Sequence, residues 1–240
     1  MTDFTISLAG VPIGVSAVEP TTEHFCADYL TDEAPVLTVS LTKADISAER
    51  ERSEKTDAAR GAAVRRFSDR YLETLALYRK VAAALLDYDT LLIHGSVIAL
   101  DCGAYMFTAP SGTGKTTHTK LWLENVPGTH VLNGDKPLIK ITESGIFACG
   151  TPWRGKEKLG QNETLPLKGV CVIGRAAQNR IEKVKLGDVL NDIIRQTHVP
   201  DGCLVKTLAL IGRLDALNYY RLFCNTEPEA ALLSGRYMVQ

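Results

Sequence analysis

Up to about residue 45, apolar and turn-forming positions come in short bursts, FTISLAGVPIGV and then APVLTVSLT, which predict β-strands. The pattern breaks at Lys43. From there to about Asp69 the chain is polar and charge-rich, a stretch that reads as a solvated loop or a surface helix. Ser68 then stands where it can cap a helix. In that helix Tyr71, Leu75, Tyr78, Ala82 and Leu85 recur at helical spacing and predict a core-facing stripe.

The character changes near Tyr88. LLIHGSVIAL and AYMFTA are apolar strand candidates separated by the turn Asp101-Cys102-Gly103. TTHTKLWLENV predicts a helix, THVLNGDKPLIKI a strand, turn and strand, and KGVCVIG a further strand. LGDVLNDIIRQ and LVKTLALIGRLDAL read as helices, and NYYRLFC as a late strand. A closing helix is expected from Thr226, where Thr226 and Glu229 match a capping box. The chain therefore divides into a small β-rich unit with a helix, residues 1–88, and an α/β unit, residues 89–240.

Composition narrows the field without naming a chemistry. The 240 residues are 45% hydrophobic and 23% charged, ample for a packed core. Lysine plus arginine (27) nearly balances aspartate plus glutamate (28), so neither nucleic acid nor an anionic membrane is an expected partner. The start, MTDFTISLAGVPIG, lacks the basic opening and long apolar run of a signal peptide, and no apolar segment approaches spanning length. The six cysteines are scattered without a C-x-x-C pair, which favours reduced thiols over a zinc site or disulfide framework. Together these features predict a cytoplasmic protein.

One stretch carries chemistry. A P-loop reads G-x-x-x-x-G-K-[ST] between a strand and a helix. The matching window is Ala109-Pro110-Ser111-Gly112-Thr113-Gly114-Lys115-Thr116, between the predicted strand and helix. Gly112 and Gly114 let backbone N–H groups turn inward, and the helix start adds free donors and partial positive charge. Lys115 can reach the outer phosphates and the Thr116 hydroxyl can ligate Mg²⁺. Ser111, Thr113 and Thr117 complete the cradle. Alanine at the first position departs from the pattern, and Gly112 suggests that the tight turn sits later.

The run S-G-T-G-K-T-T resembles the loop of ATP-dependent phosphoenolpyruvate carboxykinases and of HPr kinase/phosphorylases, which share a nucleotide-binding core. His94-Gly95, a strand, a turn, a second strand and the loop is similar to the HPr kinase order. LNGDKPLIKI stands where those families carry an acidic metal-binding strand end. GTPWRGK, PLKGVCVIG and NRIEKV extend the likeness to HPr-kinase-like proteins of bacteria, over residues 90–185. The first 88 residues resemble the N-terminal part of that set, not the N-terminal domain of true HPr kinases. The resemblance implies an α/β protein with a P-loop-containing, carboxykinase/HPr kinase-like core of mixed sheet and helices, preceded by a small α+β unit. It also implies an ATP- and Mg²⁺-dependent kinase, and homo-oligomers occur among HPr kinases. Where those families pair two acids, this chain has Asp135 followed by Lys136: either one carboxylate serves metal and base chemistry, or Lys136 contacts phosphate. Counterparts of the carboxykinase residues for oxaloacetate and a second metal are missing, so decarboxylation is not implied.

Four further side chains are candidates for the chemistry. Asp135 is a magnesium ligand and catalytic carboxylate, or else the turn aspartate of Asn133-Gly134-Asp135. His94 is a proton acceptor or phosphate contact, or a core histidine. Arg154 and Lys156 neutralise charge on the transferred group, or belong to a surface loop anchored by Trp153. His118 and Thr119 are structural. The leading expectation is transfer of the γ-phosphoryl group of ATP to a hydroxyl, serine on a small protein or peptide. The alternatives are a non-catalytic nucleotide-binding or sensing module and a kinase of a small-molecule hydroxyl.

Overall fold

The computed structural model describes residues 1–59 and 61–239. By contacts the chain forms two units, residues 1–84 and residues 85 onward. In the first, β1 (Thr2–Leu8) and β2 (Val11–Ala17) form an antiparallel hairpin. Its two-residue turn, Ala9-Gly10, has φ of 51° and 70°, the left-handed pair that matches strand twist. A short helix α1 (Thr21–Phe25) leads to β3 (Leu37–Ser40), which pairs parallel with β2. Two helices follow, α2 (Lys43–Ala59) and α3 (Asp69–Leu85).

Helix α2 is the charge-rich stretch. Thr42 and Asp45 cap its start reciprocally: Asp45 Oδ2 accepts from the Thr42 N–H at 2.8 Å, and Thr42 Oγ1 from the Asp45 N–H at 3.3 Å. Not all of its charge is solvated. Asp57 is buried and receives two-pronged donation from Arg65, while buried Glu49 pairs with Arg79 at 2.7 Å. In α3 Tyr78, Ala82 and Leu85 of the expected stripe are buried, joined by Leu72, Leu77 and Val81, whereas Tyr71 at its start is 47% exposed. The reason is Glu73, which is fully buried on the same face. Its carboxylate accepts from the Val18 N–H at 2.7 Å, the Glu19 N–H at 3.0 Å and the Thr22 hydroxyl, and so fixes the rotation of the helix.

The second unit is a nine-stranded mixed sheet. In chain order it contains β4 (Thr90–Leu92), β5 (Ser96–Leu100), β6 (Gly103–Thr108), α4 (Lys115–Asn125), β7 (His130–Asn133), β8 (Leu138–Thr142), β9 (Gly145–Cys149), β10 (Thr164–Arg175), β11 (Arg180–Val184), α5 (Leu186–Gln196), α6 (Leu204–Gly212), β12 (Asn218–Cys224) and α7 (Pro228–Met238). The order β4-β8-β9-β10-β6-β5-β7 is extended by β12 beside β10 and β11 beside β12. Strand β10 joins two kinds of pairing. Thr164–Pro166 run antiparallel to β9, and after an irregularity at Leu167/Gly169 the strand runs parallel to both β6 and β12.

Strands buried on both faces read as continuous apolar runs, and here successive residues go to opposite cores. Ala104, Met106, Val170 and Val172 join one cluster with Val189 and Ile193 of α5 and Leu210 and Ile211 of α6. Tyr105, Phe107, Cys171 and Ile173 join the other, with Leu121 and Trp122 of α4 and Ala230 and Met238 of α7. The last helix starts later than its sequence suggested. Glu227 is its N-cap residue and Pro228 its first helical residue, so Thr226 caps nothing; the fixed φ of proline and its missing N–H suit that position. All six cysteines are free thiols, four buried, Cys203 half-buried and Cys102 exposed. Among the described residues no helix is long and apolar enough to cross a membrane.

Candidate functional site

The sheet topology delivers the chemistry to one edge. Strands β6 and β10 are parallel, and β5 runs antiparallel to both β6 and β7, so β6, β7 and β10 end where β5 begins. Such carboxyl-end edges are where α/β proteins bind ligands. His94 and Gly95 precede β5, the Ala109–Gly114 loop follows β6, Asp135 follows β7 and Arg175 closes β10.

The loop from Ala109 to Gly114 turns late. Gly112 has φ +81° and Gly114 +130°, while Ala109 is buried with no left-handed φ, so alanine at the first position carries no strain. A Cβ on Gly112 or Gly114 would meet nothing within 4 Å, because both face open space in the cavity. Helix α4 begins at Lys115 with no side-chain cap, which leaves its first N–H groups without side-chain partners. Lys115 lies back along its loop, its ammonium donating to the Ala109 carbonyl at 2.8 Å. Burial lowers its pKa, opposed by the nearby Asp135 carboxylate. Beneath the loop, Thr119 donates to the Lys115 carbonyl at 3.0 Å and shares a 2.7 Å hydrogen bond with Ser96. His118 and Thr119 are both buried, but Thr119, expected to be structural, also lines the cavity together with Ser96.

Asp135 is both a turn residue and a member of the site. The Asn133 side-chain oxygen accepts from the N–H groups of Asp135 at 2.9 Å and Lys136 at 2.8 Å, an Asx-type turn that aims the carboxylate. The Asp135 carbonyl accepts from the Gly95 N–H at 2.9 Å. A Cβ on Gly95 would lie 2.5 Å from Met106 Cε and 3.0 Å from the Phe107 carbonyl. His94 Nε2 lies 3.3 Å from Asp135 Oδ1, and its Nδ1 lies 2.8 Å from the Gln196 side-chain oxygen. The His94 N–H also donates to the Gln196 carbonyl at 2.8 Å, so the end of α5 holds both ring and backbone. Burial by itself raises the Asp135 pKa, but the His94 hydrogen bond and the Lys136 ammonium outweigh it and hold the group at about 2. Lys136 is ion-paired to Asp135.

The Thr151–Lys156 segment is fastened over this turn. Asn133 Nδ2 donates to Thr151 Oγ1 at 2.9 Å, Thr151 Oγ1 donates to the Lys136 carbonyl at 2.7 Å, and the Gly134 N–H donates to the Leu159 carbonyl at 3.0 Å. Trp153 is buried as its anchor. The result is a cavity of about 450 Å³ lined by Ser111, Gly112, Gly114, Lys115, Thr116, Thr117, His94, Asp135, Arg154 and Lys156. Thr113 is the one proposed site residue outside that lining. Its N–H donates back to the Pro110 carbonyl at 3.2 Å.

Among the lining residues that escaped sequence reasoning are Glu157, Leu159 and, most consequentially, Arg175. The only signal for Arg175 was its place at the end of an apolar strand, and the parallel pairing that makes this matter is not written locally. The donor set fits a phosphate-bound magnesium better than a protein-only metal centre. Among the described residues no three His, Cys, Asp or Glu side chains gather to hold an ion, whereas one hydroxyl and one carboxylate beside a phosphate cradle are what Mg²⁺ uses.

No protein-family model and no curated protein matches the chain in sequence. Among solved structures it is similar to the Hpr(Ser) kinase/phosphatase from Coxiella burnetii, at 11% identity and a TM-score of 0.28, over 51% of this chain and 90% of that one. So distant a likeness carries no functional weight; the cavity does.

Proposed function

We propose that the cavity binds a magnesium–nucleoside triphosphate, ATP being the leading case, and that the protein transfers the terminal phosphoryl group to a hydroxyl, serine on a small protein or peptide. The observation that carries this reading is that the phosphate loop and Asp135, brought from separate strands, line one cavity together with Arg154 and Lys156. The Gly114 N–H and the first N–H groups of α4 bind phosphate oxygens, and Lys115 exchanges its carbonyl contacts for them. Thr116 and Asp135 would hold magnesium, which when bound would supply neutralisation of charge on the phosphate oxygens.

A carboxylate held at about 2 is ionised at neutral pH, which suits a metal ligand; as a base it is weak. A loose transition state asks little of a base, so Asp135 receives the hydroxyl proton late while His94 keeps the carboxylate oriented. Arg154 and Lys156 screen charge as the phosphoryl group moves. The test is titration calorimetry with Mg-ATP, followed by transfer from labelled ATP to hydroxyl-bearing peptides. Lys115→Met should weaken nucleotide binding tenfold or more, and Asp135→Asn should abolish transfer. Absence of Mg-ATP binding by the wild-type protein would end the proposal.

One observation favours a second reading, a nucleotide-binding module without transfer: Asp135 is already neutralised by its neighbour Lys136. That reading expects Mg-ATP binding with neither transfer nor hydrolysis above background, and unchanged affinity in Asp135→Asn.

A further inference from the structure

Arg175 is exposed at the end of β10, yet its guanidinium is engaged. Nε–H donates to the Thr113 carbonyl at 2.9 Å, and Nη2 donates to the carbonyl of Gly112. The fold puts it there: β10 runs parallel to β6 with Val172 opposite Thr108, so the residues that follow each strand emerge side by side. All peptide bonds of the described chain are trans, and a trans peptide points its C=O and N–H in opposite directions. Drawing the Thr113 carbonyl toward Arg175 therefore turns the Gly114 N–H the other way. Gly114 lines the cavity, and its φ of +130° has few local restraints because glycine is the most permissive residue.

We infer that Arg175 is a positioning residue for the phosphate loop: it grips two successive carbonyls and so fixes the direction of the loop amides. This rests on the nucleotide-binding reading above. It also makes a distinction that charge alone does not. A guanidinium offers two N–H donors in one rigid plane and can hold both carbonyls, whereas a lysine ammonium carries the same charge without the fork. If the grip matters, lysine fails; if positive charge near the phosphates is all that matters, lysine suffices.

The experiment compares wild type, Arg175→Lys and Arg175→Gln for Mg-ATP binding by calorimetry and for exchange of the Thr113 amide by NMR without nucleotide. Both variants should bind Mg-ATP at least tenfold more weakly, and the Thr113 amide should exchange at least tenfold faster in both. Thermal midpoints should stay at the wild-type value, since the side chain lies at the surface. Wild-type affinity in Arg175→Lys, or unchanged Thr113 exchange in either variant, overturns the inference while leaving the nucleotide site intact. Failure of the wild-type protein to bind Mg-ATP removes that site, and the role of Arg175 with it.

Discussion

Acidification should destabilise the second unit through one buried histidine. His118 lies on α4, one turn past the phosphate loop, and is 2% exposed. Its ring packs edge-on against Phe107 at 4.7 Å, and its Nε2 lies 3.2 Å from the Trp122 indole nitrogen and 3.1 Å from Ser234 Oγ, which itself accepts from the indole N–H at 2.8 Å. Nδ1 has no hydrogen-bond partner among the described residues. Burial drives the pKa from 6.5 to about 4. Because the folded value is below the unfolded one, the unfolded chain takes up the proton first. The stability is therefore present in full above pH 6.5, falls as the pH drops, and levels off below about pH 4. At 1.36 kcal/mol per unit, the loss across that window is about 3 kcal/mol. Urea unfolding followed by tryptophan fluorescence reads this unit alone, since Trp122 and Trp153 both belong to it. His118→Gln keeps an acceptor for the indole and does not titrate. Between pH 7.5 and pH 4 the wild type should lose about 3 kcal/mol more than the variant. Parallel curves for the two proteins would refute the reasoning.

Glu73→Ala would leave two backbone N–H groups and a hydroxyl without their carboxylate, and should destabilise the first unit by about 2–5 kcal/mol in a thermal melt while Mg-ATP affinity stays at the wild-type value. Gly112→Ala puts a side chain at φ +81°; a cost of about 1 kcal/mol in unfolding free energy is expected, with a loss of nucleotide affinity as the new methyl enters the cavity. Gly95→Ala has no room beside Met106 and the Phe107 carbonyl, and should cost about 1–3 kcal/mol and broaden the His94 ring resonances in NMR spectra.

The parts of the molecule that could be read from the chain are those with local causes. The window with two glycines, a lysine and a hydroxyl does lie between a strand and a helix, and both of those come from periodicity alone. Ser68 acted as expected, its Oγ 3.4 Å from the Tyr71 N–H at the start of α3. What escaped was decided by distant partners. Tyr71 and Leu72 compete for the inward face, and Glu73 settles the matter by binding Val18 and Glu19, more than fifty positions away. THVLNGDKPLIKI is strand, turn and strand as expected, but the pairing was not legible: β7 pairs with β5 while β8 goes to β4 and β9, so the turn between them presents Asp135 instead of joining neighbours. Thr226 lost its cap to Pro228 because proline fixes where the helix can begin. Arg175 has meaning only once β10 is known to lie parallel to β6.

The turn Asp101-Cys102-Gly103 gives experimenters a handle. Burial pushes the Cys26 thiol up to about 12 and raises those of Cys149, Cys171 and Cys224, which slows their alkylation, whereas Cys102 is exposed. A maleimide dye should therefore label Cys102 first. It would sit at the foot of β6, whose six residues at about 3.3 Å each separate it from the phosphate loop by roughly 20 Å. That spacing suits energy transfer to a fluorescent nucleotide analogue, giving a distance ruler across the sheet from a reporter that touches none of the groups it measures.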